Sequence, residues 1–208
     1  MSEIKRRMTA KCNGDFIFIK GWITCTILAA SIDEAKKDIS IDSTNEVIGK
    51  NLIFCLKQSK ELTNDEWDFI YGSNDQQFME SMEKEADKEN INFVQKYLYK
   101  DDTALKKNMM ACWIDSELGK LTISSSAHTK LTTWDWADYN IKIYNDAPPE
   151  IIGAAVRYAF SKCIGKGAYA KGAEIVTKAL FPDGVPNSLE EYLESIDPDY
   201  KKWLVIDN

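Results

Sequence analysis

Apolar positions along the 208 residues recur with two periods, and the stronger signal is helical. Between Pro149 and Pro182, residues Ile152, Ala155, Val156, Ala159, Phe160 and Cys163 fall three and four apart on one face, leaving Arg157, Ser161 and Lys162 on the other. Pro149 suits the first helical position, where a missing N–H costs nothing, and Gly165 or Gly167 can supply a left-handed stop. The pattern resumes at Ala168 with Tyr169, Gly172, Val176 and Leu180 in line, until Pro182 forbids continuation. Small residues on the shared faces predict two close helices laid over a sheet. Ser188, with Glu190 and Glu191 in the first turn, predicts a short capped helix, and Trp203, Leu204, Val205 and Ile206 an apolar tail that docks.

Upstream the period shortens to two. Phe16–Lys20 and Trp22–Leu28 read as two short strands, or one strand bent at Gly21. Ser31–Lys37 reads as a short helical turn, because Ser31 and Glu34 have capping-box spacing, and Asn51–Lys57 as a strand after a turn at Gly49. Thr63 and Glu66 repeat the capping box and open a helix carrying Trp67, Phe69 and Ile70 as far as Gly72. A second helix over Ser73–Glu89 has Phe78 and Met82 as its apolar pair and belongs on the surface, and a third over Ile91–Tyr99 packs more firmly through Phe93, Val94, Tyr97 and Leu98. Asn108–Ile114 and Lys120–Ser124 flank a turn at Asp115–Gly119 as a hairpin, followed by one or two further strands over Thr132–Trp136 and Tyr139–Tyr144. There is no repeat, linker or break in composition. The order of elements predicts one α+β domain over residues 1–208, a mainly antiparallel sheet covered by helices that include the C-terminal pair.

Charge changes this picture more than composition does. The net charge of −7 is concentrated: ten acids lie between Glu61 and Asn90 against Lys84 and Lys88, and Asp183–Asp199 adds six acids and no base. Such a surface repels a phosphate backbone, which argues against nucleic acid as a partner and for a basic protein. The five cysteines form no CxxC pair; all but Cys12 lie among apolar residues, as small core side chains of a protein in a reducing compartment. Lys5, Arg6 and Arg7 ahead of the apolar Gly21–Ala30 have the outline of a signal peptide, but Asp15 and Lys20 interrupt it and the apolar run is short, so the expected location is the cytoplasm. No stretch approaches the ~20 apolar residues of a membrane-spanning helix.

His128 is the single histidine; as a base it would need Cys112 or Ser126 as nucleophile and Asp135 or Asp138 to orient it, and otherwise it is a loop histidine in the polar run Ser124–Thr129. With no second histidine and scattered cysteines, a zinc site is rejected. Gly165-Lys166-Gly167 fails as a phosphate loop, since glycine follows the lysine and a helix precedes it. The pairs Glu80/Glu83 and Glu190/Glu194 lie in solvated runs rather than in environments that separate two pKa values. No catalytic, cofactor or metal residue is assigned. In Thr133–Tyr139, alternation puts Trp134 and Trp136 on one strand face with Asp135 opposite, either as core packing or as a patch facing a partner.

In size, acidity, α+β layout and lack of catalytic motifs, the chain resembles the immunity proteins of bacterial toxin–immunity pairs of the polymorphic-toxin or contact-dependent inhibition type. The resemblance rests on no diagnostic motif. It implies a cytoplasmic protein that binds a cognate, basic, nuclease-like toxin domain and inhibits it stoichiometrically, with acids and an aromatic anchor shadowing the toxin's active site. The candidate contacts are then Asp65, Glu66, Asp68, Asp75, Glu80 and Glu83, with Trp134, Asp135, Trp136 and Asp138. Two alternatives stay open: a small enzyme using His128 with Cys112 or a nearby carboxylate, and a regulatory adaptor for another basic protein. Whether the chain forms homo-oligomers is not set by these residues.

Overall fold

Alternating side chains build the first strands of the computed structural model, which describes residues 5–25, 28–72 and 75–205. In β1 (Arg6–Cys12), Met8, Ala10 and Cys12 enter the main core; in β2 (Phe16–Cys25), Ile17 and Ile19 join them, and the intervening residues turn to the opposite face. β2 runs unbroken through Gly21, the continuous form of the two expected there. β3 (Leu28–Ser40) pairs antiparallel with β2 and bulges opposite Lys20–Trp22. The helical turn expected at Ser31–Lys37 is therefore strand: a ladder running the length of β2 outweighs a capping-box spacing that commits no backbone bonds.

α1 (Asn45–Gln58) replaces the strand expected at Asn51–Lys57. Thr44 caps it, and Ile48, Gly49, Leu52, Cys55 and Leu56 are buried at helical spacing. Gly49 makes no turn; it permits contact with a later helix. β4 (Lys60–Glu61) adds a short parallel pairing to β2. α2 (Asn64–Tyr71) begins with the expected Thr63/Glu66 capping box. α3 (Asp75–Lys96) merges the two helices expected over 73–89 and 91–99, Ser73 lying outside the described residues, and α4 (Asp102–Lys107) follows.

β5 (Met110–Glu117) and β6 (Lys120–Lys130) form the predicted hairpin, with its turn tightened to Leu118 and Gly119, both at positive φ (51° and 73°). β7 (Thr133–Tyr144) is one strand. α5 (Pro149–Ser161) starts at Pro149 and ends before either candidate glycine stop, and β8 (Ile164–Gly165) then pairs parallel with β6. α6 (Ala170–Leu180) and α7 (Leu189–Glu194), the latter capped by Ser188, complete the chain of elements. Trp203 and Leu204 pack half-buried against the core, while Ile206 lies outside the described residues.

The sheet order is β3-β2-β1-β5-β6-β7, antiparallel throughout, with β4 and β8 attached in parallel, so the fold class is α+β as expected. One face carries the main core beneath α1 and α5, with α6 and α7 packed at its border. α1 and α5 cross so closely that a Cβ on Gly49 would overlap the Pro149 carbonyl and one on Gly153 would overlap the Asn45 carbonyl. Arg157 fastens the crossing by donating to Asn45 Oδ1 (2.9 Å) and the carbonyl oxygens of Leu180 (3.0 Å) and Ser43.

The other face is covered only in part. Phe16 and Phe18 meet Phe93 of α3, and Phe16 also meets Tyr97 just beyond the helix end, with Phe16 stacked 4.8 Å from Phe93 and 4.4 Å from Tyr97. Lys20 reaches Glu89 at 3.4 Å, and Lys36 is paired with Glu85. α3 is thus tied to the sheet along its second half rather than lying free on the surface. All five cysteines are buried and unpaired by disulfides, including Cys12. Among the described residues no helix is long and apolar enough to cross a membrane.

Candidate interaction surface

Two aromatic residues four apart decide which way α2 faces. Trp67 and Tyr71 turn inward and pack against Phe78 of α3, with ring centroids 4.6 to 5.4 Å apart. The residues between them must then point outward: Phe69 is 91% exposed, Ile70 49% and, on the neighbouring helix, Met79 50%. Around these apolar side chains stand Asp65, Glu66, Asp68, Glu80 and Glu83, all exposed.

The acids of this run divide by role. Glu66 is taken up by the cap: its carboxylate accepts from the Thr63 N–H (2.8 Å) and hydroxyl (3.0 Å), and these bonds hold its pKa below the usual value. Glu85 and Glu89 face the sheet and are matched by Lys36 and Lys20. Asp65, Asp68 and Glu83 enter no ion pair among the described residues, and Glu80 accepts only a same-helix bond from Gln76 (3.3 Å). Asp75 opens α3, its side chain lying outside the described residues. Asp65, Asp68, Glu80 and Glu83 are thus exposed on the same two helices that expose Phe69, Ile70 and Met79. The exposure of Phe69 was available to sequence reasoning, because a helix that buries positions 67 and 71 cannot also bury 69.

The tryptophans of β7 part company. Trp134 is half-buried; its indole N–H donates to the Met109 carbonyl (2.9 Å), the Lys11 ammonium lies 4.8 Å from its ring, and His128 stacks on it. These contacts make it a packing residue of the sheet. Trp136 is 61% exposed and packs 4.6 Å from Trp113 at one end of a groove of about 340 Å³ on the uncovered sheet face. Trp22 and Thr24 lie at the groove's other end, where the Thr24 carbonyl accepts from the Leu62 N–H (2.8 Å) just ahead of α2. Asp135 and Asp138 are exposed, on alternate sides of β7. The ten candidate residues therefore occupy two regions, the α2–α3 corner and the β7 strand.

His128 is not a loop residue. β6 continues through it, it is 0% exposed, and its ring lies between Trp134 (5.0 Å) and Tyr169 (4.1 Å). The polar run extends as strand because its hydroxyls find partners: Ser125 donates to the Ala159 carbonyl (2.7 Å) and Ser126 accepts from the Ala111 N–H (3.2 Å). Neither ring nitrogen of His128 has a hydrogen-bond partner among the described residues, and the Cys112 thiol lies instead against Cys163. A base must reach the proton it moves, so no dyad exists here.

Burial pulls the His128 pKa down, against a weaker opposite pull from the backbone of Lys130 and Leu131. The unfolded chain then takes up a proton near 6.5 that the folded chain refuses, so stability is present above that pH and declines as pH falls below it. Urea midpoints should drop between pH 7.5 and 5.5 in the natural protein. Because His128 is the single histidine, His128→Phe should flatten that drop; an unchanged slope would contradict the assignment.

A family model described as CDI immunity protein matches residues 6–163. The chain belongs to the CDI immunity protein family. The matched span includes β1 to β7, α1 to α5 and the whole α2–α3 corner, and ends just before β8. Immunity protein CdiI-YPIII of Yersinia pseudotuberculosis serotype O:3 (strain YPIII) is 37% identical over 73 residues, which cover 33% of this chain and 41% of that relative. The chain thus spans less than half the length of that curated relative. Among solved structures, a protein of unknown function from Neisseria meningitidis is 27% identical with a TM-score of 0.64, covering 78% of this chain and 98% of that one. A chain of the CdiA-CT/CdiI toxin and immunity complex from Yersinia pseudotuberculosis shares the fold at 22% identity and a TM-score of 0.65, covering 77% and 99%. Membership in a CDI immunity family accords with a non-enzymatic inhibitor. Among the described residues no group of three or more His, Cys, Asp or Glu side chains is arranged to hold a metal ion.

Proposed function

We propose that this CDI immunity protein binds a cognate toxin domain in the cytoplasm, one copy to one, and that the toxin presents a basic, nuclease-like surface to the outer side of the α2–α3 corner. The observation that carries the reading is Phe69, 91% exposed, one helical turn from Asp65 and beside Asp68, neither of which enters an ion pair among the described residues. An apolar ring held out among acids is the composition of an interface anchor, where burial of the ring supplies affinity and the acids supply partner choice and association rate. Trp136 and Asp138 on β7 form a second, separate contact region in this reading; Trp134 supports it from within, and Asp135 lies on the strand's other side. Five reduced thiols suit a cytoplasmic setting.

The test is to mix the purified protein with the toxin domain encoded beside its gene. Light scattering on the eluted complex should give one copy of each, and toxin activity should vanish at one molar equivalent. Absence of a complex at micromolar concentration would overturn the proposal.

A further inference from the structure

Two thiols meet in the core, away from the candidate interface. Cys112 lies in the middle of β5 and points inward with Met110 and Ile114; Cys163 follows the end of α5. Their sulfur atoms are 3.9 Å apart. The Cys163 sulfur also lies 3.3 Å from the Ala111 carbonyl, with the Ser126 N–H directed at it from 3.5 Å and the Ser126 hydroxyl at 4.0 Å.

The two differ in access. Cys112 is fully enclosed, whereas Cys163, 5% exposed, borders a solvent-open groove of about 550 Å³ between the end of α5 and α6, lined also by Ser161, Ala173, Thr177 and Phe181. They differ in reactivity as well. Burial raises the pKa of each, and nothing offsets it at Cys112; at Cys163 the bonds from Cys112 and Ser126 outweigh burial and hold the thiol below its usual value. A cysteine reacts more readily when it has some access and donors that stabilise its thiolate, and of the two Cys163 has the residual exposure and the Ser126 donors.

We propose that Cys163 and Cys112 form a reversible disulfide when the protein meets hydrogen peroxide, Cys163 reacting first and Cys112 resolving. The Cys163 thiolate attacks one peroxide oxygen; an S–O bond forms, the O–O bond breaks, and the departing hydroxide takes up the proton lost by the thiol, leaving a sulfenic acid and one water. The Cys112 sulfur then attacks the sulfenic sulfur; the S–S bond forms, the S–O bond breaks, and the hydroxide leaves with the Cys112 proton as a second water. Two thiols are oxidised by two electrons and one peroxide is reduced. The sulfur atoms must close from 3.9 Å to ~2.05 Å. The product ties β5 to the end of α5 across 51 residues of chain and leaves α2 and α3 untouched. The oxidised protein therefore resists unfolding more strongly while its candidate interface is unaltered.

The experiment uses the intact purified protein, without denaturant and without toxin, so its result is independent of the functional proposal. After hydrogen peroxide and digestion with free thiols blocked, a peptide pair joining Cys112 to Cys163 is expected, ~2 Da lighter than the two reduced peptides together. Two of the five thiols should disappear, a dithiol reductant should restore them, and Tm should rise by several degrees in the oxidised form. In Cys112→Ser, Cys163 should stop at the sulfenic acid and be captured by a cyclic 1,3-diketone. Where that variant does not fold, the peptide map of the natural protein decides alone. Five thiols surviving peroxide, a link between any other pair, or oxidation only in denaturant would each overturn the proposal.

Discussion

Replacing Asp65, Asp68, Glu80 and Glu83 together by lysine is expected to abolish neutralisation of the toxin while leaving the protein folded. None of the four supports the fold through an ion pair among the described residues, and the capping box of α2 depends on Thr63 and Glu66, which the variant keeps. Circular dichroism and Tm should therefore change little. Binding should weaken by at least about 100-fold, because four attractions to a basic surface become four repulsions and like charges across an interface cost several kcal/mol. The loss should fall on the association rate and shrink as salt is raised from about 0.05 to 0.5 M, since exposed charges are screened within ~10 Å at 0.1 M. Phe69→Ala should separate the apolar contribution, weakening binding by roughly 30-fold with little change in salt dependence. Calorimetric titration of the variants against the toxin domain measures both effects. A quadruple variant that protects as well as the natural protein would place the interface elsewhere.

The largest effect on stability is expected at the α1–α5 crossing. Gly153→Ala places a methyl group against the Asn45 carbonyl, and Gly49→Ala places one against the Pro149 carbonyl. Both obstacles are backbone, so no side chain can swing away and one helix must move. In an exposed helix interior either substitution would gain about 1 kcal/mol of helix propensity. Here each should cost about 3 kcal/mol in net stability, the upper range for overpacking, and lower Tm by roughly 6 to 12 °C in a chain of this size. The pair together should prevent folding, because Arg157 would also lose its bonds to Asn45 and to the carbonyls of Ser43 and Leu180 when the helices separate. Thermal melts of the single variants check this; a change under 1 kcal/mol would mean that the crossing tolerates separation.

What the sequence disclosed follows from how local each signal is. The capping box at Thr63, Pro149 at the first turn of α5, and Ser188 ahead of α7 were legible because a cap is chemistry within four residues. The β5–β6 hairpin and the alternation in β7 were legible for the same reason. Errors arose where partners distant in sequence decide the outcome. Asn51–Lys57 is a short apolar run that either element could use; its helical nature appears only once Ile48 and Leu52 are counted together, and Gly49, read as a turn, hid that spacing. Gly49 is glycine because α5 lies against it, which no local pattern reports. The Ser31–Lys37 segment obeys its ladder with β2, and the Ser124–Thr129 run stays buried as strand because hydroxyl partners come from α5 and β5.

The candidate surface was legible in its acids and less so in its anchor. Charge is visible without a fold, so the run from Asp65 to Glu83 stands out directly. Which tryptophan is free depends on contacts across the sheet: Trp134 is held by Met109, Lys11 and His128, and Trp136 is not. The family match supplies what the residues alone could not, the class of task that an acidic, non-enzymatic chain performs.

Hydrogen exchange on the toxin-bound protein tests the central claim most directly. If the α2–α3 corner receives the toxin, backbone amides across residues 64–71 and the first half of α3 should exchange markedly more slowly in the complex than in the free protein. Protection confined to β7 or to the helices over the main core, with 64–83 exchanging as in the free protein, would contradict the account.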